Sequence, residues 1–176
     1  MRREKGVSGM FGPKIIEPDY GRAEREAIGL LNRAGIYEPP VNPVEIAEIV
    51  GVRVAFVAFS GESDGVSGLY DPANDEILVN ESEPGVRQTF TIAHELGHKL
   101  LHQEWATSED YKVLWRDPRK QGKDRFEQEA NYFAANLLMP RQMVSKYQNL
   151  PIESIARIFA VSDSVARFRM QNLYGF

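Results

Sequence analysis

The 176-residue sequence contains no cysteine. Disulfides are therefore excluded, and any zinc-type site must be built from imidazole and carboxylate rather than thiolate. The same absence fits a cytoplasmic protein. Histidine is scarce too: His94, His98 and His102 are the whole supply, and they lie in one short stretch. No apolar run approaches the roughly 20 residues that cross a bilayer. The N-terminal MRREKGVSGMFG begins with charge but has no apolar segment, so it does not read as a secretory signal. There is no basic excess either. The net charge is −4 and the pI about 5.5, so no overall field recommends nucleic acid as a partner. Internal repeats and low-complexity tracts are absent. What remains is 43% hydrophobic and 26% charged, an ordinary composition for one globular domain with a sizeable core.

Residues 1–17 read as a mobile N-terminal arm, 18–140 as the core, and 141–176 as a helical subdomain packed on it. Pro18 and Asp19 announce a helix over about 19–34, with an apolar stripe of Ala23, Ala27, Leu30 and Leu31 and a stop at Gly35. Asn42 and Pro43 start a short helix that ends at Gly51. VRVAFVAF (52–59) is β-branched and aromatic, a strand signal. GVSGLY (65–70) and EILVN (76–80) flank the turn-rich DPAND and predict a hairpin. Pro84 opens the helix that holds the histidines. Residues 103–123 form a long polar connection, of a length that often carries function. A further helix runs from about Asp124 to Met139 and stops at Pro140.

His94, Glu95 and His98 form H-E-x-x-H within the apolar run 90–101. Positions four apart share a helix face, so two imidazoles there can hold one metal ion with a glutamate beside them. Gly97 costs about 1 kcal/mol of helix stability relative to alanine, which makes sense if another backbone packs closely there. A metzincin would place a third histidine at position 104; that residue is glutamate. His102 lies two turns from His94, about 12 Å along a straight helix at 1.5 Å per residue, too far to share one ion. It reads as a rim residue, or one behind the ligands, or a hydrogen-bonded packing histidine.

The third ligand must then come from another helix. Glu127 and Glu129 are the candidates. Glu127 falls on the apolar face of Phe126, Ala130, Ala134, Leu137 and Leu138, whereas Glu129 points away from it. A carboxylate on a buried stripe is costly unless paired, which selects Glu127. Asn131, one turn on, is placed to hold the outer nitrogen of a ligand histidine. The set predicts a Zn²⁺ site of His94, His98 and Glu127, with Glu95 as the base that takes a proton from water and passes it to the leaving amine. Tyr111, Tyr132 and His102 are the candidates for stabilising the oxyanion. The strand 76–80 is a candidate edge for an extended peptide.

FTIAHELGHKLLH (90–102), EQEANYFAANLLMP (127–140), VSGLYDPANDEILVN (66–80) and IARIFAVSDSVARFRMQNL (155–173) together resemble the ImmA/IrrE family of zinc metallopeptidases, over roughly residues 25–175. Carried over by motif, that family's zinc ligands fall on His94, His98 and Glu127, and its catalytic glutamate on Glu95. Asn131 stands where related zinc peptidases often have aspartate. The resemblance implies a small α+β, zincin-like fold: a short, mostly antiparallel sheet beside the metal-bearing helix, with helix-turn-helix-like helices at the C-terminus. It also implies a cytoplasmic bacterial or phage endopeptidase that cleaves a helix-turn-helix repressor of the Xre type and relieves repression in a stress or mobile-element response. The alternatives are a toxin or regulatory partner of an Xre-like antitoxin, or a DNA-binding regulator on a peptidase scaffold.

Residues 152–170 themselves have helix-turn-helix spacing, with Ser162 capping a helix that bears Arg167 and Arg169. The segment 141–176 has a net charge of +3. That is a modest footprint for DNA. Ile155, Ile158, Phe159, Val165, Phe168 and Met170 predict docking onto the core as the stronger reading.

Overall fold

The computed structural model describes residues 17–60, 65–107 and 124–175. Most of the arm 1–17, most of the 103–123 connection, and with it Tyr111, lie outside these residues.

Helix α1 (Tyr20–Ala34) starts at Asp19, whose side chain accepts the Arg22 amide, and ends at Gly35 in the left-handed conformation that glycine adopts without strain. Helix α2 (Pro43–Ile49) begins with Asn42 accepting the Val44 amide. Among the described residues three strands follow: β1 (Arg53–Val57), β2 (Gly68–Asp71) and β3 (Glu76–Asn80). The β2–β3 hairpin is antiparallel, with Leu69 opposite Leu78. Its turn is closed by Asp71, which accepts the Ala73 amide at 2.9 Å, and by the Tyr70 hydroxyl, which donates to Asp75 at 2.6 Å.

The architecture is α+β, with a sheet of order β1-β3-β2. β1 joins β3 in parallel, Val54 opposite Ile77, so the sheet is mixed: one antiparallel and one parallel pairing. This corrects the expectation that strand 76–80 offers a free edge. β3 is the central strand, hydrogen-bonded on both sides, and its Ile77 and Val79 are fully buried. β2 is left as the edge beside the histidine helix.

That helix, α3 (Gly85–Leu101), packs on β2 and β3 with one face and on α5 (Arg125–Leu138) with another. The contact between α3 and α5 closes at Gly97. A Cβ there would lie 3.1 Å from the Ala130 Cα and 3.3 Å from the Ala130 carbonyl oxygen. The missing side chain is what lets the two backbones approach and brings residues of both helices to one point. Between them α4 (Gln103–Ala106) is a single turn at the start of the long connection.

The C-terminal helices α6 (Arg141–Val144), α7 (Ile152–Phe159) and α8 (Asp163–Tyr174) bury Ile155, Phe159, Val161, Ala166 and Met170 in the same apolar cluster as Leu30, Leu96 and Leu137. Ala160 takes the left-handed turn position (φ 53°) where glycine is usual. Arg169, which the weaker DNA-binding reading would turn outward, is 1% exposed. Its Nε donates to the Met139 carbonyl at 2.9 Å and its Nη2 to Asn136 Oδ1 at 2.7 Å, so it ties α8 to the end of α5. Phe168, counted among the docking residues, is exposed. The helix turns it outward while Arg169 and Met170 face in.

Candidate metal centre

His94 and His98 are one turn apart on α3, and Glu127 sits in the first turn of α5, whose start is capped by Asp124. The close passage at Gly97 makes the three converge. His98 Nε2 lies 3.0 Å from His94 Nε2 and 3.1 Å from Glu127 Oε1, and His94 Nε2 lies 3.5 Å from Glu127 Oε2. Among the described residues these three are the group of ligating side chains that converges in this way.

The arrangement fits a metal. Ligand atoms at zinc-like bond lengths of about 2.0–2.1 Å around a tetrahedral ion sit about 3.3 Å apart, which is the scale of this triangle. The outer side of each imidazole is also engaged. His94 Nδ1 lies 3.0 Å from Asn131 Oδ1, and a donating Nδ1–H leaves the Nε2 lone pair facing inward. His98 Nδ1 lies 3.3 Å from His102 Nδ1.

The electrostatics describe what the trio does without an ion. Burial alone would lower the His94 pKa, but the hydrogen bond and charge of Glu127, with help from Glu95 and Asn131, hold it up to about 9. At His98 burial dominates and pushes the value down to about 4, against the pull of Glu127. Burial would raise Glu127, yet the imidazoles of His94 and His98 beside it hold its carboxyl well below the usual carboxylate range. The metal-free trio is therefore one imidazolium on His94, donating to a neutral His98, beside one carboxylate. A metal cation takes the place of that proton.

Glu95, 7% exposed, does not join the triangle. Its Oε2 accepts the backbone amide of Tyr70 on β2 at 3.0 Å. With His94 and Asn131 it lines a cleft of about 230 Å³ whose other walls are Gly65–Gly68, Arg87, Phe90 and Thr91. The edge strand β2 thus holds the glutamate and borders the cleft.

Other predicted residues fall elsewhere. His102 is 4% exposed and does not line that cleft; it lines a separate cavity of about 760 Å³ with Glu129, Trp105 and Phe126. Tyr132 lies beyond Asn131, its ring 4.8 Å from that of Tyr20, in a groove shared with Phe168. Glu129 is the residue that sequence reasoning missed. It is 5% exposed, and its Oε2 sits 2.6 Å from His102 Nε2. The apolar stripe placed Glu129 outside the core because a stripe cannot register a polar partner. A third histidine one turn past H-E-x-x-H was the available signal that a second buried carboxylate exists.

Residues 47–171 match the model of the IrrE N-terminal-like domain, family Peptidase M78. The chain is 31% identical over 130 residues to the uncharacterized immunity region protein 2 of Bacillus phage phi105, covering 73% of this chain and 78% of that one. It is 32% identical over 120 residues to the metallopeptidase ImmA of Bacillus subtilis, covering 66% and 68%. To the radiation response metalloprotease IrrE of Deinococcus radiodurans it is 31% identical over 136 residues, 76% of this chain but 40% of that longer one. A Mycobacterium tuberculosis transcriptional regulator shares the fold at TM-score 0.62 and 19% identity, over 86% of this chain and 46% of that one. A matched family model spanning both helices of the site, with two relatives named as metallopeptidases or metalloproteases, places this chain in the ImmA/IrrE family of metallopeptidases.

Proposed function

We propose that the chain is a zinc-dependent endopeptidase that cleaves a helix-turn-helix repressor of the Xre type and so relieves repression in a stress or mobile-element response. One observation carries the hydrolytic part: Glu95 and His94 open onto the same cleft, and Gly68, the first residue of the edge strand, with residues 65–67 before it forms one wall. The names of the relatives, an immunity region protein of a phage and a radiation response metalloprotease, support the regulatory part.

His94, His98 and Glu127 hold the ion. When bound, zinc supplies a Lewis acid that polarises the scissile carbonyl and acidifies water. The chain's own groups do the rest. Asn131 keeps the His94 ring in place through Nδ1. The Tyr70 amide fixes one oxygen of Glu95, so the carboxylate is aimed before substrate arrives. Glu95 takes the proton of the attacking water and returns it to the amine nitrogen as the peptide bond breaks. An extended substrate segment lies along the cleft beside β2.

The test is to incubate the protein, with and without Zn²⁺, with the product of the neighbouring reading frame, and to map new N-termini. A single zinc-dependent cut is expected, lost in Glu95→Gln while near-stoichiometric zinc is retained. A purified protein that holds no metal at neutral pH even after zinc is supplied overturns the reading. Growth toxicity that survives Glu95→Gln, with no cut, moves the assignment to the toxin of a two-gene pair.

A further inference from the structure

Behind His98 a line of hydrogen bonds leads away from the cleft. His98 Nδ1 meets His102 Nδ1 at 3.3 Å, His102 Nε2 meets Glu129 Oε2 at 2.6 Å, and Glu129 Oε1 accepts the backbone amide of Asp19 at 2.8 Å. The line is buried: His98 is 1% exposed, His102 4% and Glu129 5%. Trp105 and Phe126 stack on each other over it, centroids 4.6 Å apart, and Phe126 meets the His102 ring edge-on at 4.9 Å.

With a neutral His102, the protons on this line have one consistent arrangement. A backbone amide can only donate, so Glu129 Oε1 is an acceptor. A carboxylate has no proton to give, so His102 Nε2 carries the hydrogen. A neutral imidazole has one ring proton, which leaves His102 Nδ1 bare and able only to accept. His98 must then carry its proton on Nδ1, which strips Nε2 and turns that lone pair toward His94 and Glu127. We propose that Glu129, acting through His102, is a positioning residue that fixes the tautomer of His98 and so prepares its Nε2 to bind the metal. The proposal rests on the metal-site reading above. It adds that the polarity of the ligand is set from the residue that caps α1, beyond two side chains that separate it from the ligand.

The substitution Glu129→Gln tests it with little change of shape. The Asp19 amide still needs an acceptor, so the glutamine oxygen stays there and its NH₂ faces His102. Every proton on the line then reverses, and His98 is left with a hydrogen on Nε2, in the space the metal occupies. Competition against a chromophoric chelator should show zinc affinity falling about 10- to 100-fold, the usual effect of removing such a partner. Long-range ¹⁵N–¹H spectra of the metal-free protein should show His98 as the Nδ1–H tautomer in wild type and as Nε2–H in the variant. Unchanged zinc affinity together with unchanged tautomers in a folded Glu129→Gln overturns the proposal. If the variant does not fold, wild type decides: a metal-free His98 with its proton on Nε2 overturns it, and one with Nδ1–H and a bare Nε2 supports it. A wild-type protein that takes up no zinc would sink the metal reading instead, and the tautomers would still be read.

Discussion

The same two helices, α3 and α5, build two histidine–carboxylate arrangements side by side, and they behave differently. On the cleft side His94, His98 and Glu127 converge at 3.0–3.5 Å with none of the three contacts short. On the other side His102 and Glu129 meet in a contact of 2.6 Å beside Trp105 and Phe126. Residue types are alike, so composition does not separate a metal site from a hydrogen-bonded pair. What separates them is the number of lone pairs aimed at one point. Three converging donors with an open flank hold a cation. His102 and Glu129 face each other as one donor and one acceptor, with their outer atoms taken by His98 and by the Asp19 amide.

The largest effect that breaks this comparison is on the cleft side. Glu127→Gln removes a charged ligand, and zinc affinity should fall on the order of a thousandfold, about 4 kcal/mol. Chelator competition measures it, and the loss should exceed that in Glu129→Gln. A reversed order would mean that the two carboxylates have been assigned to the wrong roles.

Next comes the contact on which both arrangements depend. Gly97→Val forces a branched side chain against the Ala130 backbone, which cannot yield as a flexible side chain would. Overpacking of this kind costs about 2 to 3 kcal/mol. Chemical denaturation of the metal-free protein should show that loss, and zinc binding should weaken with it. A variant of wild-type stability with intact zinc affinity would remove the close approach of the helices from the account.

The smallest effect is a pH profile that zinc should reshape. In the metal-free protein His94 is raised from 6.5 to about 9, so its contribution is complete below pH 6.5 and is lost as pH rises through 9. His98 is lowered from 6.5 to about 4. The unfolded chain therefore takes a proton that the folded one refuses, and stability is lost as pH falls from 6.5 toward 4. The thermal midpoint should peak near pH 6.5. Zinc displaces the His94 proton, so the alkaline limb should disappear in the loaded protein. An alkaline decline that is the same with and without zinc would separate the ion from His94.

Much of this was legible in local sequence. Asp19 and Asn42 cap the helices they announced, Gly35 ends one, and Pro140 follows the end of α5. H-E-x-x-H put two imidazoles on one face, and the apolar stripe of α5 picked Glu127 as the residue that meets them. These are signals of helical period, which a single segment carries. The parts that were not legible depend on pairing across the chain. Nothing in residues 76–80 says that β1 will add to them in parallel and close their free edge. The burial of Arg169 depends on a bare carbonyl at Met139 and on Asn136, some thirty residues earlier. Glu129 is buried only because His102 is there to receive it. A polar pair inside a core satisfies itself, and each half viewed alone looks like surface.

The central claim is that one ion is held by two imidazoles of α3 and one carboxylate of α5. Zinc K-edge X-ray absorption on the loaded full chain tests it most directly. The account predicts two imidazole nitrogens at about 2.0–2.1 Å with oxygen donors completing the shell. A shell containing three imidazoles would bring His102 to the metal and contradict it.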